Sequence, residues 1–411
     1  MTDIQARSPS IEDDRPLAGY TVLDFTRVLS GPYCTKMLAD LGARVIKIER
    51  PGEGDEVRYV GLQLNPERSD QSAYFARMNA GKQSIAIDFA NPAARPLVLD
   101  LVRTADVVVE NFSPGVMAKY GFDDAGLRAV RPDVVFCSIS GFGQTGPLKS
   151  MQAYAHLVNA FSGMMDLDRS GFLEPKASNL QAADVLAGAH AFGAICAALL
   201  RRARTGKGAR LDVSMLECLI AADDVNFPTL LNGGAVARQP RTGMVVLPIG
   251  ERYVAMQVGS VPAMWKRVTE MIGRPDLHED PRFFTPAARR DNWPALLEIL
   301  GQWLSTFGSV DEAVKTLSAS RIPGVPMLLP EEVIEHPHLA QRGAFPQVPH
   351  PVKGQARVTA QPFQLDGEPV VPAGPVPYRI GEHTRSVLTD WLGYSQEQIT
   401  ALIAQGVVEQ A

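Results

Sequence analysis

The sequence has few cysteines. The four it carries, Cys34, Cys137, Cys196 and Cys218, are widely spaced and form no CxxC pair. This supports neither a zinc knuckle nor a disulfide framework, and it suits a reduced cytoplasm. Basic excess is missing too: 40 Lys and Arg against 45 Asp and Glu leave a formal charge of −5. Such a balance lacks the electrostatic footprint of nucleic-acid binding or of attachment to an anionic membrane. The opening run MTDIQARSPSIEDDRPL has no apolar core of the kind a signal peptide needs. The most apolar stretch, 183–200, contains Asp184 and His190 and is rich in Ala and Gly, so it reads as a buried helix rather than a membrane span. The seven histidines offer no metal template; His336 and His338, in EHPHL, have no Cys or third ligand nearby. No GxSxG elbow and no fixed-period repeat are present. Against these absences stand 35 Gly and 31 Pro, a modest excess that points to many turns and long connections.

The first 140 residues alternate β-rich and helical patterns. Strands are expected at 20–26 (YTVLDFT), 44–50 (RVIKIER), 84–89 (SIAIDF), 106–112 (DVVVENF) and 133–140 (DVVFCSIS), with helices at 33–41 and 92–103. Apolar β runs alternating with helices argue for an α/β fold with a parallel sheet, and for an anionic ligand near the strand ends. The segment after the first strand, RVLSGPYC, is not GxGxxG, which disfavours a nicotinamide dehydrogenase. Residues 152–204 read as mainly helical and end at the turn TGKGAR and a strand at 211–214. All four tryptophans lie beyond residue 260, which supports a boundary near 225–245. We therefore expect a large α/β domain from 1–210, a small domain with linkers over 225–330, and a return linker with the rest of the large domain over 335–411.

Few single residues announce chemistry. Asp184 opens the small-residue helix AADVLAGAHAFGAICAALL, where the positive end of the helix dipole favours an ionised carboxylate. By position alone it reads as an ordinary N-terminal helix acid. Lys47, Arg50 and Arg58 flank the glycine turn KIERPGEGDEVR and could meet phosphates at a strand end, or form an exposed charged turn. Asn111 sits at another strand end and reads equally well as a turn former.

Six motifs taken in order resemble the class III CoA-transferases, the group of formyl-CoA transferase and carnitine CoA-transferase. They are PLAGYTVLDFTRVLSGPYCTKMLADLGARVIKIERPGEGD, NAGKQSIAIDF, ADVVVENFSPGVMAKYGF, SISGFGQTGP, AADVLAGAHAFGAICAALLRRARTGKGARLDVSML and GEHTRSVL, running from about residue 16 to 408. The resemblance implies a large Rossmann-like domain, a smaller α/β domain, long linkers and an interlocked homodimer. It implies CoA transfer from an acyl-CoA to a free carboxylate, with coenzyme A as substrate and no permanent cofactor. Asp184 occupies the position of the nucleophile, and Tyr154 matches an active-site tyrosine. Arg50 matches a contact to the CoA nucleotide, and Asn111 and Phe112 match a stretch lining the CoA site, with Lys47 nearby. Lys119 stands where relatives often carry Arg, keeping the charge without the bidentate fork.

The departures bear on the acceptor. Ala155 replaces the acid that usually follows the tyrosine, and the glycine run of formyl-CoA transferase is reduced to Gly233, Gly234 and Gly243. Arg238 and Arg241, in the same region, would be placed to pair with a second carboxylate of the acceptor. The resemblance also touches α-methylacyl-CoA racemase, whose catalytic His aligns with Tyr154. A tyrosine with an ordinary pKa near ~10 is a poor base at pH 7, although His156 lies two residues on. The expectation is a CoA-transferase using a short acyl-CoA, such as succinyl-CoA, and a small mono- or dicarboxylic acid.

Overall fold

The computed structural model describes residues 14–168, 174–236, 243–259 and 262–410. They form two compact units. One comprises the chain up to Met164 with Ala177–Pro228 and Pro337–Ala411; the other comprises Thr229–His336 with Met165–Lys176.

The larger unit is built on six parallel strands: β1 (Thr21–Asp24), β2 (Arg44–Glu49), β3 (Gln83–Ile87), β4 (Val107–Glu110), β5 (Val135–Ser140) and β6 (Ala209–Ser214). Their spatial order is β3-β2-β1-β4-β5-β6, with the short strand Val408–Glu409 added antiparallel at β3. Register explains the unbroken apolar runs. Val22 pairs with Val45 on one side and Val107 on the other, and Val107 pairs with Val135. These four face one core layer, while Leu23, Ile46, Val108 and Phe136 face a second. A parallel sheet covered on both faces needs apolar side chains in both directions, which is why strict alternation is absent.

Five helices matter for the site: α1 (Ser30–Asp40), α2 (Ala73–Asn79), α3 (Arg95–Thr104), α4 (Ala155–Phe161) and α5 (Ala182–Thr205). By length and composition α5 could cross a membrane, but here it lies along α1, β5 and β6, with Ala183, Ala187, Ala191 and Ile195 fully buried. Gly188 sets the closeness of that packing. A Cβ there would lie 2.6 Å from the Ser30 carbonyl oxygen, so only glycine lets the start of α1 rest on α5. The chain runs β1, β2, β3 to one side and then returns to place β4 on the other flank of β1. That reversal leaves a crevice at the carboxyl ends of β1 and β4, the usual ligand position in open parallel sheets.

The smaller unit pairs Met244–Ile249, Arg252–Gln257 and Gly324–Pro326 as an antiparallel sheet. Helices Pro262–Met271, Trp293–Leu304 and Val310–Ala319 surround its core of Trp265, Leu296, Leu300 and Leu317.

Two features differ from the sequence expectation. Helix α2 carries no strong periodic signal and is started by Ser72, whose hydroxyl accepts the Phe75 N–H at 2.9 Å. The return linker expected from residue 335 onward holds two short hairpins, Gln347–His350 with Gly354–Arg357 and Gln364–Leu365 with Glu368–Pro369. The second turns on Asp366 and Gly367, both at positive φ, as a two-residue hairpin demands. Val348, Ala356 and Val358 join Val57 and Phe75 in a small core of their own.

Candidate active site

The site begins with two loops that face each other across the switch point. Residues 25–29 leave β1, and Asn111 and Phe112 leave β4. Asn111 ties the loops together: its Oδ1 accepts the Arg27 N–H at 2.9 Å, and its Nδ2 donates to the Arg27 carbonyl at 2.8 Å and to Ser30 Oγ at 3.2 Å. Val28 sits between them at φ 67°, a left-handed conformation that costs a β-branched residue on the order of 1–3 kcal/mol. Its N–H donates to Asp55 Oδ1 at 3.1 Å. Asp55 in turn pairs with Lys47 Nζ at 2.9 Å, and Lys47 donates to the Thr26 carbonyl at 2.7 Å, closing a ring of contacts under the loop.

Beside these loops lies a cleft of about 680 Å³. Phe89, Phe112 and Tyr120 form one wall, with Phe89 centred 5.6 Å from Phe112 and 5.5 Å from Tyr120. Arg27, Lys47 and Arg50 supply the cations. Arg27 pairs with Glu56 at 2.6 Å and Arg50 with Glu53 at 2.9 Å, all four side chains more than half exposed. Such surface pairs contribute roughly 0–1 kcal/mol, so either arginine can exchange its carboxylate for a phosphate. Lys47 differs: it is fully buried and its ammonium is committed to Asp55 and Thr26, so it braces the cleft from beneath. Arg58 departs further from the phosphate-binding expectation. It is fully buried and forks onto Glu49, with two contacts of 2.7 Å. Lys119 is exposed at the cleft edge, its Nζ 5.3 Å from the Tyr120 ring centre.

Asp184 stands half-buried in the first turn of α5. Burial raises its pKa above the ordinary value, while the Ser30 hydroxyl and N–H, and the His156 charge, act to lower it. Tyr74 on α2 also feels the carboxylate: burial and the Asp184 charge push its hydroxyl up to about 12. Through Ser30 and Asn111, the acid is joined to the cleft wall at Arg27 and Phe112.

The helix α4 gives a mixed result. Tyr154 precedes it and is 68% exposed, its carbonyl accepting the Leu157 and Val158 N–H groups. Ala155 is buried in the same core as Val158 and Ala187, so an acid at this position would face apolar side chains. The ionisable group that reaches Asp184 from α4 is His156, whose Nε2 lies 2.9 Å from the Gln181 amide. Gly243 opens the strand Met244–Ile249 of the smaller unit, its carbonyl accepting the Val258 N–H at 3.1 Å. Arg238 and Arg241 lie outside the described residues. Sequence reasoning missed Ser30, Arg27 and Tyr74. SGP at the start of α1 lies inside the first family motif but nothing in it singled out Ser30, and AYF at the start of α2 lies in none of the six.

Residues 17–384 match the family model described as CoA-transferase family III. The chain belongs to that family. It is 33% identical to the formyl-CoA:oxalate CoA-transferase of Streptomyces coelicolor, across 96% of this chain and 99% of that one. It is 31% identical to the succinyl-CoA:glutarate CoA-transferase of Mus musculus, across 96% and 91%. The crystal structure of a CaiB/BaiF family protein from Brucella suis superposes with a TM-score of 0.79 at 31% identity, covering 91% of this chain and 99% of that one. This family III enzyme is an acyl-CoA:carboxylate CoA-transferase, and CoA thioesters are its substrates.

One further acid underlies the transferase cleft. Glu110 ends β4, is 4% exposed, and accepts the Phe112 N–H at 2.8 Å. Burial pushes its carboxyl up to about 7, against hydrogen bonds from Ser138 and Phe112 that favour the charged form. The folded protein therefore holds a proton that the unfolded chain releases near 4.5, and stability falls as pH rises from about 4.5 to 7. Glu110→Gln keeps an acceptor for Phe112 without the buried charge. Its unfolding free energy at pH 8 is expected to exceed that of the parent by on the order of 2–3 kcal/mol, the gap closing by about pH 4.5. Urea titrations at several pH values check this; a gap that does not change with pH would refute it.

Proposed function

We propose that this transferase carries CoA from a short acyl-CoA, with succinyl-CoA the expected donor, to a small mono- or dicarboxylic acid through covalent intermediates on Asp184. The carboxylate attacks the thioester carbonyl, the C–S bond breaks, and a mixed anhydride forms as CoA thiolate leaves. The thiolate then attacks the aspartyl carbonyl and expels the donor acid, leaving an aspartyl-CoA thioester. The acceptor carboxylate attacks that thioester to give a second anhydride. Thiolate attack on the acceptor-derived carbonyl releases the new acyl-CoA and restores Asp184. Every intermediate stays activated, so neither ATP nor a metal enters the balance.

The observation that carries this reading is the position of Asp184: a half-buried carboxylate at a helix N-terminus, joined by hydrogen-bonded residues to a cationic, aromatic cleft. Partial desolvation strips water from the nucleophile and protects anhydride and thioester from hydrolysis. The two relatives named above pair a short acyl-CoA, formyl-CoA or succinyl-CoA, with a small dicarboxylate, oxalate or glutarate, which supports the substrate class. We place the enzyme in the cytoplasm as a homodimer. Leu157 and Phe161 of α4 are at least half exposed beside the nucleophile, apolar surface that a second copy would cover.

Incubation with succinyl-CoA alone, followed by intact-mass and peptide analysis, is expected to show an added CoA-derived mass on Asp184. Native mass spectrometry of the same sample reads the dimer, and a monomer would overturn that part. His156 facing Asp184 is the one feature that favours α-proton transfer instead. Deuterium uptake at the acyl α-carbon, with no adduct and no acceptor turnover, would replace the transfer reading with that one.

A further inference from the structure

Resting on the reading of Asp184 as the nucleophile, we propose that Ser30 is its positioning residue: the Ser30 hydroxyl, directed by Asn111, donates to the Asp184 carboxylate and leaves one oxygen free to attack.

The direction of each hydrogen bond follows from the groups present. Asn111 cannot be turned over, because its Oδ1 faces the Arg27 N–H at 2.9 Å and its Nδ2 faces the Arg27 carbonyl at 2.8 Å. An amide nitrogen only donates, so Ser30 Oγ must accept from it at 3.2 Å. Ser30 is fully buried, and a buried hydroxyl proton needs an acceptor. The Ser30 hydroxyl and N–H are the first groups after burial to act on the Asp184 carboxyl, which sets both near that acid. The close approach at Gly188, one turn beyond Asp184 on the same face of α5, brings the Ser30 backbone to that side of the helix.

The chain of contacts also couples binding to chemistry. Asn111 is followed by Phe112, which walls the cleft, so a CoA moiety seated against Phe112 tightens the loop that aims the nucleophile. Three groups face the carboxylate from the surrounding elements: Ser30 from α1, Tyr74 from α2 and His156 from α4. Only Ser30 is hydrogen-bonded to the loop that lines the cleft.

The test is Ser30→Ala, which deletes one oxygen. A hydrogen bond to a charged group contributes about 1.5–3 kcal/mol, so kcat and the rate of adduct formation are expected to fall roughly 10- to 100-fold. KM for the acyl-CoA should stay within about twofold, because Arg27, Arg50 and Phe112 remain. The acid limb of kcat should move to higher pH, since the hydrogen bond that keeps the carboxylate ionised is gone. Ser30→Cys, a weaker donor, should fall between the two and serves as the variant if alanine does not fold. A parental adduct rate and an unmoved acid limb in either variant would overturn the positioning role while leaving Asp184 as nucleophile. Absence of any Asp184 adduct in the parent enzyme would instead overturn the reading on which it rests.

Discussion

Asp184→Ala is expected to lower CoA exchange by roughly 10⁴-fold or more, because it removes the carboxylate on which all three proposed covalent intermediates form. The residual cleft should still bind CoA, since Phe89, Phe112, Arg27 and Arg50 stand on other elements. Asp184→Glu is the sharper probe. It keeps a carboxylate but moves the carbonyl by one methylene, and a displacement on the order of 1 Å costs about 10²-fold in rate. The glutamate variant should therefore still give an adduct, slowly, while alanine gives none. In the parent enzyme the acid limb of kcat should lie above the ordinary carboxylate range, because burial raises the Asp184 pKa and activity requires the ionised form. Steady-state exchange with succinyl-CoA and a panel of acids, alongside equilibrium CoA binding, measures all of this. Full exchange in Asp184→Ala would end the covalent mechanism.

The second large effect is on stability. Arg58→Met is expected to destabilise the larger unit by about 3–5 kcal/mol, read as a fall in the urea midpoint. Glu49 is 3% exposed and holds Arg58 through Nε and Nη2, both at 2.7 Å, while the guanidinium stacks 3.6 Å over the Phe75 ring. Glu49 also accepts the Asp55 N–H at 3.0 Å and the Ser84 hydroxyl, and Ser84 Oγ accepts the Gly381 N–H at 2.9 Å. Burial pushes the Glu49 carboxyl up, and Arg58, with help from Lys47 and Ser84, outweighs it to hold the group below its usual range. Removing the guanidinium alone leaves that charge buried and unpaired, which is costly. Removing both partners, as in Glu49→Met with Arg58→Met, should recover most of the loss, because an apolar pair needs no desolvated charge. A single variant as stable as the parent would contradict the argument.

Much of the fold was legible in the sequence. The strands from 20–26 to 133–140 showed as apolar β runs because both faces of a parallel sheet are buried. The hairpin at Asp366 and Gly367 was legible in principle, since Asp-Gly is a strong turn signal. Its strands of two residues each carry too little pattern to register beside it. The antiparallel edge strand Val408–Glu409 was hidden for the same reason: two residues have no period.

The site divides along a different line. Ordered motifs pointed to Asp184, Arg50, Asn111 and Phe112, and these are chemical choices that a sequence records directly. No local pattern separates Arg58 from Arg50, eight residues apart in one charged turn; burial against Glu49 makes the first structural, and exposure frees the second. Nor does Ala155 reveal that it faces the core, or His156 that it faces the nucleophile, because that depends on how α4 rolls against α5. By itself the sequence determined the parallel α/β architecture and the family, and it singled out Asp184 as the proposed nucleophile, since apolar runs and rare motif residues are written in chain order. The tertiary structure alone decided which charges are paired and buried, that the start of α1 packs on α5 beside Asp184, and that Asn111 ties Ser30 to Arg27 at the cleft. Those contacts span up to 154 positions of chain, from Ser30 to Asp184, and distance in space is fixed by packing, not by spacing along the sequence.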